Sequence, residues 1–171
     1  MTAELSAGWV ETELGRLLVA CTEAGVCFVD LQPDLAEQGF EKWRQRVIPD
    51  SRVVATSKVL DEARDELASY ARGERRAFDV PQDLFGTDFQ RSVWFELKRI
   101  PYGATCTYGQ VARAIDNPGA TRAVGLANNR NPVPIMVPCH RVVAAGGLGG
   151  FGGGVEMKHR LLALEGVHLA F

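Results

Sequence analysis

The sequence predicts two successive domains: an α/β domain built on a small antiparallel sheet with helices, then a mainly α domain containing a helix-turn-helix. Three observations predict it. Short apolar runs separated by glycine-bearing turns fill residues 9–31, the pattern of an antiparallel meander. From residue 34 onward, apolar residues recur at helical spacing. Beyond an irregular stretch at residues 78–86, two capping signatures, Thr87–Gln90 and Thr107–Gln110, each open a further helix. The boundary is placed between residues 80 and 81.

In chain order, Trp9 to Leu14 ends at Gly15, Leu17 to Cys21 ends near Gly25, and Val26 to Leu31 ends at Pro33. Asp34 to Val47 reads as a first helix with Leu35, Phe40, Trp43 and Val47 as its apolar stripe, although Gly39 works against it. Val53 to Ala55 reads as another short strand. Ser57 to Ala71 is a clearer helix, with Val59, Leu60, Ala63, Leu67 and Tyr70 on one face. Arg72-Gly73-Glu74-Arg75-Arg76 closes it with glycine and charge, a solvated helix end rather than a nucleic-acid patch. Phe78 to Gly86, with Pro81, reads as the linker.

In the second half, Phe89, Val93, Trp94 and Leu97 form a core-facing stripe, and Pro101 and Gly103 stop that helix. A short helix from Thr107 to about Ile115, the turn Asn117-Pro118-Gly119, and a helix from about Ala120 to Asn129 make the helix-turn-helix pattern. Such pairs also occur as plain packing units. The second helix is smooth: Ala120, Ala123, Gly125 and Ala127 are small, with Arg122 among them. That face suits either close approach to a minor groove, where an arginine can fill a gap in the base stack, or tight packing on a neighbour. Gly147 to Gly152 spells G-x-G-x-x-G, but no βαβ unit or following acidic residue accompanies it, so it is no dinucleotide site. Residues 146–154 read instead as a side-chain-poor pocket wall or an exposed linker, followed by a last helix from about Val155 to Glu165.

Bulk properties narrow the class. The chain has 171 residues, 46% hydrophobic and 23% charged, ordinary values for a globular protein. It contains no apolar run of membrane-spanning length, and Met1-Thr2-Ala3-Glu4 lacks the blocks of a signal peptide, so a cytoplasmic protein is expected. Net charge of −2 argues against binding nucleic acid through bulk charge. Its distribution differs: residues 117–155 contain no Asp or Glu, while Arg122, Arg130 and Arg141 all lie there. The cysteines at 21, 27, 106 and 139 show no disulfide framework and are expected as reduced thiols. Cys21 and Cys27 have no nearby histidine pair, so they read as buried strand residues, and no metal is expected.

Chemistry concentrates at Ile135 to Val143, where Cys139 and His140 are adjacent. Asn131-Pro132-Val133-Pro134 reads as a stiff extended approach, since proline fixes φ and removes a donor. A thiol reacts as thiolate, and a neighbouring imidazole with a carboxylate behind it can make one at neutral pH. The residues alone equally admit a buried inert cysteine followed by a surface His-Arg pair. A thiol hydrolase is a further alternative, though no oxyanion-hole motif accompanies the pair.

Several motifs in order resemble one family. These are Gly86-Thr87-Asp88-Phe89-Gln90 with Val93-Trp94, Ile100-Pro101-Tyr102-Gly103, Thr107-Tyr108, Arg122-Ala123-Val124-Gly125, Asn131-Pro132-Val133-Pro134, Pro138-Cys139-His140-Arg141-Val142, Lys158, and Leu161-Leu162-Ala163-Leu164-Glu165-Gly166. Together they resemble the O6-alkylguanine-DNA alkyltransferases (methylated-DNA–protein-cysteine methyltransferases). The resemblance implies a ribonuclease H-like first domain and a winged-helix-like second one. It implies stoichiometric, single-turnover transfer of an alkyl group from O6 of guanine to Cys139, without a cofactor, by a monomer acting on double-stranded DNA with the base flipped out. Cys139 would accept the alkyl group. His140 would take its proton through a water, Glu165 would orient His140, and Tyr108 would donate to the departing guanine and contact a phosphate. Thr121, Arg122, Ala123 and Gly125 would meet the minor groove, with Arg122 replacing the extruded base. Val142, Phe151, Gly152 and Lys158 would line the base pocket, and Asn131 would tie the DNA-contacting helix to the cysteine loop. The alternative within this reading is a non-catalytic protein that binds alkylated DNA; relatives of that kind carry tryptophan in place of the cysteine. Two departures stand out: many relatives have tyrosine where Phe151 stands, and Ser or Thr where this loop has glycine. Some relatives carry an N-terminal zinc site, for which no complete ligand set is present here.

Overall fold

Three strands open the chain: β1 (Glu4–Thr12), β2 (Gly15–Cys21) and β3 (Val26–Asp30), each antiparallel to the last. In this computed structural model, which describes residues 2–169, β1 starts well before Trp9, where the sequence placed it. The early residues qualify because Leu5 and Ser6 are buried and paired: Leu5 faces Val53 of β4 (Arg52–Val54), and Ser6 faces both Val54 of β4 and Cys21 of β2. Gly15 turns the first hairpin at φ +109, a conformation that favours glycine.

The sheet is mixed, correcting the purely antiparallel expectation. Its order is β3-β2-β1-β4, with β4 parallel to β1. The cause is α1 (Pro33–Val47), a crossover that returns the chain in the direction of β3. α1 runs unbroken through Gly39, where an added Cβ would stand 3.1 Å from the Asp30 carboxylate, so the glycine permits close approach. Leu5, Leu18, Ala20, Cys27, Phe28, Ala36, Phe40 and Trp43 form one core, with the Phe28 ring centroid 5.4 Å from those of Phe40 and Trp43. Cys21 and Cys27 are fully buried free thiols; burial pushes Cys21 up to about 12, so both are inert packing residues.

α2 (Lys58–Ala71) is capped by Ser57, whose hydroxyl accepts from the Leu60 N–H. The stretch read as a linker is tied down over most of its length. The Glu66 carboxylate accepts the N–H groups of Asp79 and Val80, and Val26 exchanges hydrogen bonds with Pro81 and Asp83. The chain divides into two compact units, Met1–Phe85 and Gly86–Phe171.

The second unit begins with α3 (Asp88–Leu97), and both halves of the Thr87–Gln90 capping box are formed. After β5 (Cys106–Thr107), the second capping box, Thr107–Gln110, opens α4 (Tyr108–Ala114). A turn leads to α5 (Thr121–Asn129). The three helices pack on one another, and the buried Trp94 indole donates to the carbonyl of Ala127 at 2.8 Å. Residues 131–138 are non-helical, as the prolines require, but they do not run straight. Val137 N–H donates to Val133 O, and Ile135 sits at φ +75, so the chain doubles back. A β-branched residue there stores strain, which its near-complete burial holds in place. A 3-10 turn (Cys139–Arg141), then β6 (Val142–Val143, parallel to β5) and α6 (Val155–Leu164) complete the unit. No helix among the described residues is long and apolar enough to cross a membrane.

Candidate active site and nucleic-acid interface

Cys139 opens the 3-10 turn, buried to 4% exposure, where the doubled-back segment meets β6. Burial pushes its thiol up to about 11, and the Asn131 side chain, the charge of Lys158 and backbone N–H groups oppose that shift without cancelling it. The resting thiol is therefore protonated at neutral pH and needs a base.

His140 is fully buried, and burial pushes its imidazole below the usual histidine range, although Glu165 pulls the other way. Its Nε2 lies 2.7 Å from Glu165 Oε2. Glu165 is itself gripped by Arg141: Arg141 Nε donates to Oε1 at 2.7 Å, and another guanidinium N–H donates to Oε2 at 2.9 Å. A carboxylate held by a guanidinium fork can only accept, so the hydrogen-bond pattern assigns the histidine proton to Nε2. Nδ1 is left as a lone-pair acceptor, and it has no partner among the described residues. The arrangement thus holds a neutral imidazole with its basic nitrogen free.

Arg141 is buried, not the surface residue that the inert-cysteine reading supposed. A third N–H of its guanidinium donates to Ile100 O at 2.7 Å, and the group lies 5.7 Å from the Tyr102 ring centroid. Gly103 N–H adds a hydrogen bond to Glu165 Oε1. Asn128 is a second residue absent from the sequence expectations: it is buried on the inner face of α5, and its Nδ2 lies 3.4 Å from the carbonyl of Cys139. Each had a signal in the sequence. An arginine inside the apolar run 135–144 needs a buried partner, and Asn128, four residues after Val124, falls on the apolar face of α5.

The remaining predicted residues divide between an inner and an outer group. Asn131 Nδ2 donates to Val137 O at 2.8 Å and its Oδ1 accepts from Val133 N–H, clamping the turn before Cys139. Lys158, fully buried on α6, donates to Val142 O at 2.6 Å and Gly150 O at 3.1 Å, fastening the glycine loop to β6. Burial pushes its ammonium down to about 8. The loop passes over Tyr108: a Cβ on Gly149, at φ +77, would stand 3.0 Å from the phenol oxygen, so only glycine fits there without strain. Gly125 of α5 approaches the other side of that ring, and burial holds the Tyr108 phenol above its usual range, keeping it a proton donor. Gly152 lies beside the Asn129 carbonyl, and Phe151 is half-buried. Thr121 and Arg122 are exposed on α5, with Ala123 and Gly125 half-buried beside them. Among the described residues, no three His, Cys, Asp or Glu side chains cluster so as to hold a metal ion.

Comparison with known proteins gives this geometry a family. Residues 88–167 match the model described as 6-O-methylguanine DNA methyltransferase, DNA binding domain, and residues 6–84 match 6-O-methylguanine DNA methyltransferase, ribonuclease-like domain. The chain is 46% identical over 158 residues to the methylated-DNA–protein-cysteine methyltransferase of Methanosarcina acetivorans, an alignment covering 91% of this chain and 95% of that protein. The crystal structure of the Mycobacterium tuberculosis O6-methylguanine methyltransferase superposes with a TM-score of 0.79 at 41% identity, covering 94% of this chain and 92% of that one. The same mycobacterial protein in complex with DNA superposes with a TM-score of 0.77 at 38% identity, covering 95% and 92%. With both domain models matched in order across nearly its whole length, the chain belongs to the 6-O-methylguanine DNA methyltransferase family.

Proposed function

We propose that this protein repairs DNA by direct reversal, moving an alkyl group from O6 of guanine to Cys139 once per molecule. The observation that carries the reading is the buried line from the Cys139–His140 turn through Glu165 to Arg141. It leaves Nδ1 of His140, the residue that follows a thiol unable to ionise unaided, without a partner among the described residues. In this reading the thiol proton passes through one water to His140 Nδ1. The thiolate sulfur bonds to the alkyl carbon as the carbon–O6 bond breaks. The electron pair stays with guanine, which is protonated from the Tyr108 hydroxyl. The imidazolium is stabilised by Glu165, and Lys158 holds the loop that closes the base pocket formed with Val142, Phe151 and Gly152. The product is a thioether, which no group here can hydrolyse, so the protein is consumed.

The base must leave the duplex first. α5 enters the minor groove with Thr121, Ala123 and Gly125 against its walls, and Arg122 fills the gap in the stack. Asn131 couples α5 to the cysteine turn. Residues 81–171 perform recognition and transfer, residues 1–80 support them, and the protein acts as a cytoplasmic monomer. A purely lesion-binding protein is disfavoured by the cysteine at the acceptor position and by the neutral, buried histidine that follows it in the same turn.

The test is the intact mass after incubation with a duplex containing one O6-methylguanine. The expected result is a gain of one methyl on the Cys139 peptide; an unchanged mass with lesion-selective binding would replace repair by recognition alone. Two variations sharpen it. Arg122→Ala is expected to slow transfer from duplex by about 10²-fold relative to transfer from free O6-benzylguanine, an estimate from losing one stack-filling contact worth a few kcal/mol; equal losses on both substrates would remove the intercalating role. The rate against pH is expected to stay flat through neutrality and to fall only below 6.5, the unperturbed histidine value, because burial lowers the pKa of His140 and the base is lost on protonation. An acid limb centred above 6.5 would contradict a buried neutral imidazole.

A further inference from the structure

α5 carries one large apolar side chain that neither its fold nor the proposed chemistry uses. Its inner face is spoken for by Val124, Ala127 and Asn128, all buried. On the outer face, Arg122, Leu126 and Asn129 follow at i, i+4 and i+7 and so form one stripe along the helix. Leu126 is 60% exposed, the most exposed large apolar side chain among the described residues. It lies one turn beyond Arg122, on a helix whose other outward positions are small or polar.

Charge decides what could cover it. Of the three arginines in the acid-free window 117–155, Arg141 is buried against Glu165, leaving Arg122 and Arg130 exposed. Arg122 is assigned to the base stack, so the window offers a single exposed arginine, Arg130, for phosphate. The second unit, residues 86–171, carries nine Lys and Arg against five Asp and Glu, so counterion release can draw it onto DNA. Phosphate contacts, however, position a protein without filling the groove beside Arg122. A contact that is not electrostatic would fill it. Leu126 is placed to make one, because apolar side chains on minor-groove elements pack against sugars and base edges. One leucine between arginine and asparagine is too small an apolar surface for a stable protein partner, which needs about 800 Å² on each side.

We infer that Leu126 is a DNA contact in its own right, packing against the deoxyribose wall of the minor groove one turn along α5 from the lesion. The inference rests on the reading of α5 as the groove-entering helix. It assigns three parts to one stripe: Arg122 to the gap in the stack, Leu126 to the sugars, and Asn129 with Arg130 to the phosphate edge.

The experiment compares wild-type protein with Leu126→Ala and Leu126→Gln. Single-turnover rate constants are measured on a duplex containing one O6-methylguanine, with protein below its Kd, and on free O6-benzylguanine. The expected result is a fall of about tenfold in the duplex-to-free-base ratio for both variants. The slope of log affinity against log salt should match wild type, because an apolar contact releases no counterions. A ratio within twofold of wild type for both variants would overturn the inference, as would a salt slope lowered by about one, the signature of a lost phosphate contact. Reaction of wild-type protein with neither substrate would instead overturn the proposed function beneath it. The side chain is exposed, so both variants should fold, and a thermal melt checks this directly.

Discussion

Cys139→Ser is expected to abolish methyl uptake, lowering the rate by more than about a thousandfold, while the lesion duplex is still bound. The substitution replaces a buried thiol at about 11 by a hydroxyl whose proton is far harder to remove. A neutral imidazole such as His140 takes the thiol proton far more readily than the hydroxyl proton, and oxygen is a poorer nucleophile than sulfur toward an alkyl carbon. Serine is smaller than cysteine and leaves the 3-10 turn and its contacts in place, so the measured loss reports chemistry rather than folding. Intact mass and gel shift on the same duplex separate the two properties. Methyl uptake by the serine variant at another residue would move the acceptor assignment away from Cys139. Loss of binding together with transfer would show that the substitution disturbs the site as a whole.

The second large effect is expected for Arg141→Met. Arg141 meets Glu165 through two short hydrogen bonds in a region closed to solvent, and His140 leans on the same carboxylate. Removing the guanidinium leaves a buried carboxylate without its cation, a change worth about 3–5 kcal/mol. For a chain of this length that corresponds to a fall in Tm of about 10 °C. Methionine fills much of the same volume, so the loss measures charge and hydrogen bonding more than a cavity. The double variant Arg141→Met/Glu165→Leu removes both charges and should recover part of the stability, yet it stays inactive because nothing then orients His140. Thermal melts of the three proteins check this. A single variant within about 1 kcal/mol of wild type would show that the pair behaves like a surface ion pair.

Much of the architecture was legible because it is encoded over short stretches. The Thr87–Gln90 and Thr107–Gln110 boxes each place a hydroxyl and an amide three residues apart, and both form as read. The glycine at position 15 and the stripe along Ser57 to Ala71 are equally local signals. The family, too, could be recognised in the sequence, since its motifs are contiguous words such as Pro138-Cys139-His140-Arg141-Val142 in a fixed order.

The tertiary structure decided what depends on distant partners. Nothing near Arg52 says that β4 will lie parallel to β1, because that pairing is set by where α1 carries the chain. The apolar run around Arg141 hints at burial, but nothing near it says that its partner is a carboxylate 24 residues away. The spacing from Val124 puts Asn128 on the inner face of α5, but only the fold brings it to the carbonyl of Cys139. The titration of the thiol and imidazole follows the same rule, since burial is a property of the assembled unit. Caps, turns and motif words bind neighbours in the chain, and their free energy is set by a few adjacent residues. Strand partners, buried ion pairs and shifted pKa values arise only when segments far apart in sequence exclude water from one another.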